Sequence, residues 1–94
     1  MSKTAEWIAA HMADAPPVLR ERAMQYVPPT DGDAAERLAR AAGAALDVVL
    51  AHAGGRGVAL DLLAADGLIT LALLAKANAA PAELDAFAAS LMRR

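Results

Sequence analysis

The stretch LDLLAADGLITLALLAKA, residues 60–77, is apolar on nearly every side and still carries Asp61 and Asp66. At about 100° per residue it reads as a helix, because Leu60, Leu63, Ala64, Gly67, Leu68, Leu71, Leu74 and Ala75 then share one wide face. That face is the expected core. Leu62, Ile69 and Leu73 cluster on the other side with Asp66 beside them, and a helix apolar on two sides needs two partners. The two aspartates lie roughly 140° apart around the axis, so they do not converge as a catalytic or metal-binding carboxylate pair would. Asp61 falls in the first turn, where its charge meets the helix dipole. Asp66 is mid-helix, where an unpaired buried charge costs several kcal/mol, so it needs a partner or water. Thr70, one turn later, is a local candidate, and an arginine from another helix or subunit is the other kind.

Outward from this helix the chain breaks at recognisable points. Pro16 and Pro17 end a first helix, capped by Ser2 or Thr4, whose stripe is Ile8, His11, Met12 and Ala15. Pro28 and Pro29 end a short second helix with Leu19, Ala23, Tyr26 and Val27 inward and Arg20, Glu21, Arg22 and Gln25 towards water. Asp33 followed by Glu36 resembles a capping box opening a long third helix, to about Ala53, with Leu38, Ala42, Ala45, Leu46, Val49 and Leu50 inward. Glu36, Arg37, Arg40 and Asp47 take its opposite side. The run GGRG, residues 54–57, makes a tight turn into the fourth helix, 58–77, with Asn78 as its terminator. Pro81 opens a last helix with Leu84, Phe87, Ala88 and Leu91 on its stripe. The predicted fold is therefore all-α, one compact domain over 1–94 built of about five helices around a central hydrophobic helix.

Composition supports this reading. Hydrophobic residues are 57% of the 94 but aromatics only 3%, so the apolar content is mostly Ala and Leu, which suits helices packed closely through small side chains. Nine basic against eleven acidic residues give a net charge of −2, without the basic excess that drives nucleic-acid binding. The absence of cysteine removes thiol chemistry and suits a reducing, cytoplasmic setting. The stretch AEWIAAHMADAPP lacks the continuous apolar core of a signal peptide. The most hydrophobic run, residues 67–75, is about half the roughly 20 needed for a membrane span, so none is expected.

Sites of reaction chemistry are sparse. His11 and His52 form no HxxxH or HExxH pattern, which leaves no metal or cofactor site to assign. Ser2 and Ser90 lack a nucleophile context, no catalytic residue is assigned, and the weight falls against an enzyme. Arg56, in the turn before a helix N-terminus and close to His52, makes those two residues a candidate anion site. The leading expectation is a non-catalytic interaction module with a homo-oligomeric or other protein partner. It would use Leu62, Asp66, Ile69, Thr70 and Leu73 as the interface. The alternative is a binder of a small apolar or amphipathic ligand, anchored by Asp66, Thr70 or a histidine.

Overall fold

The computed structural model describes residues 3–27, 33–52, 55 and 58–93. Its elements are α1 (Lys3–His11), α2 (Pro17–Gln25), α3 (Ala34–Ala51), α4 (Val58–Ala79), a 3-10 turn (Pro81–Glu83) and α5 (Leu84–Met92). The described residues form an all-α bundle. Proline fixes φ near the helical value and needs no amide partner in the first turn, so Pro17 starts α2. The Asp33 carboxylate accepts from the Glu36 amide at 3.0 Å, capping α3, a contact worth about 1 kcal/mol. Thr4 lies inside α1, buried, and is no cap. Asn78 does not stop α4, which runs on to Ala79, and Pro81 starts a 3-10 turn before α5.

Helices α3 and α4 lie antiparallel along most of their lengths. Ala34 and Ala35 at one end of α3 face Ala75 and Ala79, and Val48 and His52 at the other face Val58 and Asp61. The buried positions are mainly small: Ala41, Ala42, Gly43 and Ala45 on α3, and Ala64, Ala65, Ala72 and Ala75 on α4, with Leu38, Leu68 and Leu71 the larger residues. Short side chains let two helix backbones approach closely, and the space left admits little that is bulkier. Around this seam α2, α5 and α1 each cover part of α4. Ile8 from α1, Met12 just beyond its end, Ala23 from α2 and Phe87 from α5 complete the core.

This arrangement turns α4 relative to the expectation from its leucines. The buried face of α4 is Asp61, Ala64, Ala65, Leu68, Leu71, Ala72 and Ala75, whereas Leu63 and Leu74, expected in the core, are 56% and 43% exposed. Three further expectations shift with the packing: Leu50, read on the inward stripe of α3, is 75% exposed. His11 is exposed, stacked on the Trp7 ring at 4.5 Å, and Arg37 is half-buried instead of facing water.

Candidate functional site

Asp61 is the buried carboxylate of this fold, 4% exposed in the first turn of α4. Arg22 and Tyr26 sit four residues apart on and just after α2, which places them on one side of that helix, both facing α4. Tyr26 donates its hydroxyl to Asp61 Oδ1 at 2.6 Å, and Arg22 Nη1 donates to the same oxygen at 3.0 Å. The Tyr26 hydrogen bond is the largest influence holding the Asp61 carboxyl below its ordinary pKa. The Arg22 hydrogen bond and charge add to it, with burial opposing. Tyr26 is pushed above its ordinary value, first by burial and then by the hydrogen bond and charge of Asp61. The group is a clamp between α2 and α4. Dipole complementarity at the helix start does not account for Asp61 by itself, because two side chains from α2 converge on it.

Beside the clamp is a cavity of about 320 Å³ lined by Arg22, Val48, His52, Gly55, Val58 and Asp61. His52 caps the C-terminus of α3 and is exposed, and its Nδ1 donates to the Val48 carbonyl at 3.0 Å. Of the two residues read as an anion site, Arg56 lies outside the described residues. Among the described residues no three His, Asp or Glu side chains gather as a metal site.

The predicted interface residues are on the outward side of α4. Leu62 is 51% exposed, Asp66 and Thr70 are exposed, and Ile69 and Leu73 are half-buried at the edge, packed against the core. Asp66 therefore meets solvent, and the Thr70 hydroxyl donates to the Asp66 backbone carbonyl at 3.0 Å. Leu63 and Leu74, absent from the predicted set, belong to this strip. Helix α4, 22 residues, is long and apolar enough by length and composition alone to cross a bilayer, longer than the nine-residue run 67–75 on which the sequence expectation rests. In the fold it is the core helix of the bundle, and its first turn carries the paired charge of Asp61.

The sequence signals for what was missed are visible in retrospect. Asp61 shares its face with Ala64, Ala65 and Leu68, so an alanine-lined stripe, and not the leucine-rich one, marks the seam. Arg22 and Tyr26, two donors one turn apart, mark its partner. No protein-family model, curated protein or solved structure matches this chain, so any reading of its function stands on its own residues.

Proposed function

We propose that the chain is a non-catalytic helical interaction module that self-associates through the outward strip of α4. The observation that supports it is the exposure of Leu62, Leu63 and Leu74 along one side of the central helix, with Asp66 the charged residue among them. Exposed leucines at both ends of one helix side, with Asp66 and Thr70 between them, are apolar surface that an interaction would cover. A 22-residue helix offers a strip about 33 Å long and about 10 Å wide, less than the roughly 800 Å² per partner of a tight complex. The association expected is a weak, concentration-dependent dimer.

Sedimentation across a concentration series tests this. The wild-type chain is expected to shift from monomer towards dimer, and Leu63→Glu, at an exposed position, is expected to stay monomeric with an unchanged helical spectrum and melting midpoint. A wild type that remains monomeric into the millimolar range removes the reading. A second reading, a binder of a small amphipathic ligand, draws on the cavity of Val48, Val58, Arg22 and Asp61 with His52 as polar anchor. It predicts ligand-dependent shifts of the His52 ring signals in a monomer.

A further inference from the structure

We infer that the partner on this strip is a second copy running antiparallel, with its two-fold axis level with Leu68. This rests on the self-association proposed above and adds its geometry. A two-fold contact uses the same patch from both copies, so the patch must complement itself under the symmetry operation. The strip does so: residues 62 and 74, 63 and 73, and 66 and 70 are equidistant from 68, and they are Leu with Leu, Leu with Leu, and Asp with Thr. At 100° per residue Leu62 and Leu73 lie to one side of the strip's midline, and Leu63 and Leu74 lie to the other. An antiparallel two-fold keeps each side facing its own kind. Leu62 then meets the second copy's Leu73, and Leu63 meets its Leu74, forming a layer of four leucines at each end, about 9 Å of helix axis from the centre.

The charges favour the same direction. In a parallel pair Asp66 of one copy would sit level with Asp66 of the other, two carboxylates at an apolar contact, which is destabilising. In the antiparallel pair the two carboxylates are offset by four residues, about 6 Å along the axis, and each lies level with the other copy's uncharged Thr70. The register that matches the leucines is also the one that separates the charges.

The chain has no cysteine, so introduced thiols react only with one another. Leu63→Cys and Leu74→Cys, both at exposed positions, are prepared separately, one with ¹⁵N label, then mixed and oxidised under mild conditions, and the products are weighed. The expected result is a mixed disulfide in large excess over either symmetrical one. In a parallel pair positions 63 and 74 are about 16 Å apart along the axis and cannot bond. Excess symmetrical disulfides, or a statistical mixture, would overturn the antiparallel register while leaving self-association intact. A wild type monomeric in sedimentation removes the self-association and this geometry with it.

Discussion

Leu71→Asp is expected to leave the chain unfolded at room temperature, while Leu74→Asp, three residues further on, leaves it folded. Both leucines belong to the stripe that the sequence offers as the core face, so the pair of variants separates that stripe from the face that is packed. Leu71 is 5% exposed in the core cluster and Leu74 is 43% exposed. A carboxylate at position 71 loses the leucine's burial and meets no partner, a cost above about 4 kcal/mol, against a total of roughly 5–10 kcal/mol for a domain of this size. At position 74 the carboxylate stays in water and the change is within about 1 kcal/mol. Far-ultraviolet circular dichroism with thermal melts reads both. A folded Leu71→Asp protein with the wild-type midpoint would mean that α4 is turned differently from the arrangement described.

The second large effect is at the clamp. Asp61→Ala is expected to destabilise by about 2–4 kcal/mol, because it strands the Tyr26 hydroxyl and the half-exposed Arg22 guanidinium; the lower end of the range reflects Arg22's access to solvent. The same contacts set the pH range of stability. The Asp61 carboxyl is held below its ordinary 3.8, so its contribution is full above that value and is lost as the pH falls through the lower folded value. Tyr26 is held above its ordinary 10.0, so its contribution is full below pH 10 and is lost as the pH rises through the higher folded value. Urea midpoints measured from pH 2 to 12 should therefore show a plateau with an acid and an alkaline limb. Tyr26→Phe should flatten the alkaline limb, and Asp61→Asn should reduce the acid one. A wild-type plateau whose edges neither variant moves would show that the clamp is not formed in solution.

Much of the framework was legible because its signals are local. Pro17 starts α2, and Asp33 and Glu36 open α3, whereas α1, expected to run to Pro16, ends at His11; Pro28, Pro29 and most of the glycine-rich run at 54–57 lie outside the described residues. Each signal concerns backbone that its own neighbours constrain. The face of α4 was not legible in the same way, because a helix with leucine all round has no single period to follow. Its orientation depends on what α3 presents, and α3 presents Ala41, Ala42 and Ala45, which take alanines opposite them more closely than leucines. Shape matching between two helices therefore outweighed bulk on one. Asp66 stands out in the sequence as a charge in an apolar run, yet the helix turns it to water, while the helix dipole explains Asp61 locally although its burial requires the donors of α2. The partner of a buried charge lies 35 to 39 residues away in sequence, beyond the reach of any local pattern.

That separation also has a consequence in time. The seam of α3 and α4 joins helices that are consecutive in the chain, whereas the clamp closes chain loops of 35 and 39 residues to bring α2 in. Closing the larger loops costs more chain entropy before any contact repays it, so the α3–α4 pair is expected to form in the rate-limiting step and α2 to dock afterwards. Changes at Asp61 should then leave the refolding rate nearly as it is and appear in the unfolding rate, the signature of a contact made after the barrier. Stopped-flow measurements on Asp61→Ala would show this as a raised unfolding limb beside an unmoved refolding limb. On this account Asp61 sets how long α2 stays seated on α4, and has little to do with how quickly the bundle is found.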